Sequence, residues 1–89
     1  IAAAKSNLAS LYKTMGQLEK AKPAYLEAIS IVRQHKIKPT LATYLYELGE
    51  LLLELNEQEA AQQHLAESLL LATELEDKNL IAQVQALQK

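Results

Sequence analysis

The 89-residue sequence has no cysteine, no tryptophan and no phenylalanine. The absence of cysteine excludes disulfides and thiolate metal sites, and it is compatible with an intracellular, cytoplasmic location. No apolar run approaches the roughly 20 residues that cross a bilayer, so we expect a soluble chain with no membrane segment. Because the sequence begins at Ile1 rather than at methionine, we also expect it to be a piece of a longer protein.

The net charge is only −2, but the charged residues are unevenly placed along the chain. Residues 1–40 carry seven Lys or Arg against two Glu, a net charge of +5, whereas residues 41–89 carry two Lys against nine acidic residues, a net charge of −7. The basic half lacks the interleaved aromatic residues of nucleic-acid grooves, and the acidic half would repel phosphate, so no nucleic-acid partner is expected. Two interpretations stay open: solvated helix faces, or self-association through exposed helix faces of opposite charge.

The residues that are abundant favour helices. Hydrophobic residues make up 49% of the chain, but only four residues are aromatic, all of them Tyr. Ala, Leu, Glu, Gln and Lys dominate, and apolar residues recur at intervals of three and four, which predicts an all-α protein. The expected helices span about residues 2–14, 18–35, 40–55, 58–75 and 78 to the end.

Two positions fix the expected helix boundaries. In "KIKPT", Pro39 disfavours helix at Lys38 and Thr40 is available as an N-cap, so this segment is the clearest predicted linker. Asp77 is the expected N-cap of the last helix. Because the connections are short, consecutive helices should pack antiparallel.

The chain also contains an internal repeat of forty residues. Eight of 49 residue pairs at this spacing are identical, and the pairs Leu8/Leu48, Leu11/Leu51 and Glu27/Glu67 are among them. Turn residues also coincide, since Gly16 pairs with Asn56 and both types tolerate positive φ. A repeat of this length is typical of stacked helical hairpins.

The repeated residues resemble the tetratricopeptide repeat. The first copy carries its pattern of small, aromatic and turn residues at Leu8, Ala9, Tyr12, Gly16, Ala21, Tyr25 and Ala28. The second copy keeps the size pattern but loses both aromatics, at Leu48, Gly49, Leu52, Asn56, Ala61, Leu65 and Ser68. The family's closing proline is replaced by Arg33 and Thr73. The spacing of forty residues is similar to that of a longer variant of the repeat. In that variant the second helix is often followed by "LGD", which "LED" at residues 75–77 resembles.

This resemblance implies a fold and a domain arrangement. The fold would be an α-solenoid of antiparallel helical hairpins with about two and a half repeats and five helices. Repeat 1 would span about residues 2–39 and repeat 2 about 40–77, and a half repeat or capping helix would span about 78–89. The small residues Ala9, Ala21, Ala28 and Gly49 would lie where helices approach closely.

The resemblance also implies a function, namely a protein–protein interaction module with a concave groove for a peptide or partner protein. The predicted partner-binding residues of the concave face are Ser6, Asn7, Ser10, Lys13, Thr43, Tyr46, Glu47, Glu50 and Glu54. Some members hold a carboxylate with a clamp of Lys, Asn and Arg. The matching positions here are Ser6, Ser10, Glu47, Gln83 and Leu87, and none keeps the residue type, which argues against a carboxylate ligand.

The acidic residues of the third helix suggest a different ligand. Glu47, Glu50 and Glu54 share one helical face, so they could attract a basic segment, with Tyr46 offering a cation–π surface. The alternative is that these three side chains only keep a leucine-rich helix soluble. The runner-up function is an internal structural scaffold or self-assembly segment of a multidomain regulatory protein.

No catalytic, cofactor-binding or metal-binding residue is predicted. His35 and His64 lie far apart in the sequence, without a carboxylate at ligand spacing or a nucleophile nearby. Gly16 and Gly49 are isolated, so there is no phosphate-binding loop. We therefore expect a non-catalytic protein with no cofactor.

Overall fold

The computed structural model describes the backbone of residues 2–88 and the side chains of residues 4–88. Ile1, and Lys89 at the end of the predicted half repeat, lie outside the described residues. The described chain is all-α and contains five helices, as predicted from composition and apolar spacing. The helices are α1 (Ala2–Thr14), α2 (Leu18–Gln34), α3 (Lys38–Glu54), α4 (Gln58–Glu74) and α5 (Lys78–Leu87).

Four nearly identical three-residue turns join these helices. The middle residue of each turn has a positive φ, and these residues follow one another every twenty positions: Gly16, Lys36, Asn56 and Glu76. In every turn the middle N–H donates to the carbonyl three residues earlier, and the next N–H donates to the carbonyl five residues earlier. This pair of bonds is the Schellman motif, which satisfies carbonyls at a helix end. Gly16 and Asn56, which belong to residue types that tolerate positive φ, both adopt it.

The start of α3 corrects the prediction for "KIKPT". The helix begins at Lys38 rather than Thr40, its N-cap is Ile37, and Pro39 lies within the first turn. The first four N–H groups of a helix have no partner within it, so proline loses no hydrogen bond there. Thr40 is therefore not a cap. Asp77 does cap α5, because its carboxylate accepts a hydrogen bond from the Leu80 N–H at 3.1 Å.

The core lies between consecutive helices, which pack pairwise along the chain. The small residues Ala9, Ala21, Ala28 and Gly49 are buried, as the repeat pattern predicted. A Cβ at Gly49 would lie 2.6 Å from the Leu65 side chain, so α3 and α4 approach too closely there for a larger residue.

The uneven charges meet across the boundary between the two hairpins. Three basic residues of α1 and α2 form ion pairs with acidic residues of the second hairpin and the turn inside it: Lys13–Glu50 at 2.7 Å, Lys22–Glu57 at 2.8 Å and Arg33–Glu67 at 2.6 Å. The +5 and −7 halves are thus partly neutralised inside the molecule.

Candidate protein-binding groove

A groove of about 560 Å³ runs between α1 and α3, with one side chain of α2 reaching its wall. We call it the α1–α3 groove. Its lining residues are Ser10, Lys13, Thr14, Tyr25, Tyr46, Glu47, Glu50 and Glu54.

The structure brings together six of the nine predicted partner-binding residues. They are Ser10, Lys13, Tyr46, Glu47, Glu50 and Glu54. Ser6, Asn7 and Thr43 do not line the groove, because they lie nearer the start of α1 and α3. The exposed Thr43 hydroxyl instead donates a hydrogen bond to the Pro39 carbonyl of its own helix.

Tyr25 was not predicted as a site residue. It is one of the two aromatic residues of the repeat pattern in the first copy, and its side chain is buried. Tyr25 nevertheless lines the groove, where it neighbours Ser10 and Glu47. Burial raises the pKa of Tyr25, and the nearby Glu47 charge acts in the same direction. A pattern of residue sizes cannot show that a buried tyrosine presents a polar end to a groove.

Glu47 is the unusual residue of the groove. One of its carboxylate oxygens, Oε1, is buried and has no hydrogen-bond partner among the described residues. Burial raises the pKa of Glu47, against the opposing influence of the Tyr25 hydroxyl and the Lys13 charge. A buried carboxylate oxygen without a partner costs free energy, because it has lost its water and gained nothing in return.

Lys13 lies opposite the acidic residues. Its ammonium group is 2.7 Å from Glu50 and 4.0 Å from Glu54. Burial lowers the pKa of Lys13, but the hydrogen bond and charge of Glu50 outweigh burial, so the pKa is raised overall. One acidic residue of the predicted cation-binding face is therefore already paired with a lysine of the chain itself, which the helical spacing of α3 alone did not reveal.

Other kinds of site were also considered. Within residues 4–88, no group of three or more His, Asp or Glu side chains is arranged to hold a metal ion. No described helix is both long enough and apolar enough to cross a membrane.

Comparison with known proteins identifies the family. A family model described as tetratricopeptide repeat matches residues 1–86. This chain belongs to the tetratricopeptide repeat family. Tetratricopeptide repeats are generally protein–protein interaction modules and are typically non-catalytic. No curated protein matches the chain.

Proposed function

We propose that the α1–α3 groove binds a segment of another protein that carries a basic side chain, and that it does so without any catalytic step. The observation that carries this proposal is the unpartnered Oε1 of Glu47 in a groove that also contains Tyr25 and Tyr46. An incoming lysine or arginine would supply the hydrogen bond that Oε1 of Glu47 lacks, together with a positive charge.

The charges of the groove support a basic ligand rather than an acidic one. Three glutamates line it against one lysine, and that lysine is held by Glu50. Glu47 forms no ion pair with another described residue, and Glu54 lies 4.0 Å from the lysine that Glu50 already holds. An acidic ligand would meet unpaired negative charge. Tyr46 adds an aromatic face that can attract a cation.

The runner-up function, a self-assembling structural scaffold, receives less support from the charges. Opposite charges of the two halves would draw copies together only if they were free. Lys13, Lys22 and Arg33 already pair with glutamates of the same chain.

The test is a selection of peptides from a random display library on the 89-residue chain, followed by affinity measurements on the enriched peptides. We expect these peptides to contain Lys or Arg. They should bind Glu47→Gln at least about 10-fold more weakly, as expected when a desolvated charge pair is broken. They should also bind Tyr46→Ala at least about 10-fold more weakly, because that variant lacks the aromatic face that attracts the cation. Glu59→Gln is the matched control, because Glu59 is an exposed glutamate of α4 outside the groove. Affinity should also fall as salt concentration rises.

Two results would contradict the proposal. One is enrichment of peptides without basic residues. The other is equal affinity for wild type and Glu47→Gln when both proteins are measured well below their melting temperatures.

A further inference from the structure

The lysine of the α1–α3 groove occupies part of its acidic surface. Among the described residues, Lys13 is the one basic side chain that lines the groove. Its ammonium group reaches from α1 to α3, where it donates a hydrogen bond to Glu50 at 2.7 Å and lies 4.0 Å from Glu54. These two carboxylates therefore already bind one cation, and the chain itself supplies that cation.

This arrangement of charges is not a general feature of the repeat. Forty residues before the three glutamates of α3, the first hairpin has the neutral residues Asn7, Ser10 and Thr14. Forty residues after Lys13, the second hairpin has Leu53. Neither copy of the repeat thus contains both the lysine and the glutamates. A lysine that faces three glutamates is a property of this groove, where the two hairpins meet.

The hairpins do not depend on the Lys13 ion pair to stay together. Helix α2 packs against α3, and two further ion pairs, Lys22–Glu57 and Arg33–Glu67, join the hairpins outside the groove. The side chains of Lys13 and its partner are 26% and 36% exposed. Water therefore screens this pair, and replacing the Lys13 ammonium by another cation should cost little.

The glutamates also set a distance. A helix rises about 1.5 Å per residue, so the place beside Glu50 and Glu54 lies about 7–8 Å from Glu47 along α3. In an extended segment, side chains two residues apart point the same way and lie roughly 6.6 Å apart. A segment whose basic residue reaches Glu47 therefore brings a second basic residue, two positions away, to the place that Lys13 holds.

We propose that Lys13 is a built-in competitor of the ligand, which holds the place of a second basic side chain, so that the groove as it stands recognises only one. This inference rests on the proposed function and adds to it the number of basic residues that the groove selects. A second basic residue of the ligand must displace Lys13 from Glu50, which only exchanges one ion pair for another. Without the Lys13 charge, the same residue would gain an ion pair, and the groove would select segments with two basic residues separated by one other residue.

The experiment compares two peptides on wild type and on Lys13→Met, which removes the charge but keeps most of the side-chain length. Both probes are seven-residue peptides of serine with blocked ends. One has lysine at its third position, and the other has lysine at its third and fifth positions. Binding is followed by NMR chemical-shift changes at low salt, where screening is weak.

The two peptides should respond differently to Lys13→Met. The two-lysine peptide should bind the variant at least about tenfold more tightly than it binds wild type, because it gains a charge pair. The one-lysine peptide should gain no more than about threefold, since it is only relieved of repulsion from the Lys13 charge. Lys13→Gln is a second neutral variant and should behave like Lys13→Met, so the result does not depend on one substitution.

Matched controls separate position from total charge. Lys13→Arg keeps the charge and should bind both peptides as wild type does. Lys20→Met makes the same change in net charge at an exposed lysine outside the groove, and it should leave both affinities unchanged. Adding Glu50→Gln to Lys13→Met should remove most of the gain for the two-lysine peptide. A peptide with two adjacent lysines should gain less, because adjacent side chains of an extended segment point to opposite sides.

Three results would overturn the inference. They are equal affinity of wild type and Lys13→Met for the two-lysine peptide, an equal gain in Lys20→Met, and no binding of this peptide to Lys13→Met at millimolar concentration. Glu47→Gln tests the proposed function separately with the one-lysine peptide. If Glu47→Gln weakens binding while Lys13→Met changes nothing, the proposed function stands and only the role of Lys13 fails. If the peptides bind but Glu47→Gln has no effect, the proposed function fails as well.

Discussion

Replacing Lys36 by glycine should stabilise the protein, although lysine is the better helix former. Lys36 has a φ of 58°, in the left-handed region, where a side chain with a Cβ costs roughly 1–2 kcal/mol. Glycine removes this cost but gives the unfolded chain more freedom, which offsets roughly 0.5–1 kcal/mol. The net gain should be about 0.5–1 kcal/mol. Glu76, with a φ of 55° in the equivalent turn, should respond in the same way.

Thermal and urea denaturation followed by circular dichroism would measure this gain. For a chain of this size, each substitution should raise the melting temperature by roughly 2–8 °C. Lys36→Ala is the control, because it removes the charge and the long side chain but keeps the strained backbone, so it should change little. The reverse substitution, Gly16→Ala, should destabilise by about 1 kcal/mol through backbone strain alone. Apart from its chain neighbours, no atom of the described residues lies within 4 Å of a Cβ built there.

One result would refute this reasoning. If Lys36→Gly and Lys36→Ala had the same melting temperature, the left-handed turn would not store strain, and the twenty-residue recurrence of positive φ would have no energetic meaning.

Three further predictions concern packing and charge. Gly49→Ala should destabilise the protein by about 1–2 kcal/mol in urea denaturation, although alanine has the better helix propensity, because the new Cβ would lie 2.6 Å from Leu65. If the same loss persisted undiminished in a Leu65→Ala background, this contact would not be the cause. Double-mutant cycles of Arg33→Gln and Glu67→Gln should give a coupling of about 0.5–1 kcal/mol that shrinks in high salt, whereas zero coupling would argue against the pair in solution. Glu47→Gln should raise thermal stability at neutral pH. Burial raises the folded-state pKa of Glu47, so the native state holds the proton to higher pH than the unfolded state does. Wild type therefore loses stability as pH rises through that pKa. A parallel pH dependence in the variant would contradict this assignment.

The fold could be predicted from the sequence because repetition strengthened weak local signals. Apolar spacing alone suggests helices, but the recurrence of the small residues Ala21 and Ala61 after forty positions also shows how those helices pack. The start of α3 was predicted two residues too late. The preference against helix at the residue before Pro39 is outweighed by the turn that ends α2 and lets the next helix begin at Lys38. The positive φ of Lys36 could not be predicted, since lysine carries no preference for that conformation.

The site was predictable in part. Helical spacing placed Glu47, Glu50 and Glu54 on one face, and all three line the groove. Spacing within one helix could not show that Lys13 of α1 lies beside Glu50, because that contact joins residues 37 positions apart. The burial of Glu47 was hidden for the same reason, since it depends on neighbours contributed by other helices.

The buried carboxylate of Glu47 bears on whether the acidic face of α3, formed by Glu47, Glu50 and Glu54, is only a solvated surface. If glutamates served only to keep the helices soluble, their carboxylates would be exposed to water. Glu47 does not fit that explanation, because its Oε1 is buried and has no hydrogen-bond partner within residues 4–88. The first hairpin has the neutral residue Asn7 at the equivalent position and uses no acidic residue there. A cost in stability that is confined to one position of one repeat, inside a groove with two tyrosines, therefore supports the proposed basic ligand over the solubility explanation.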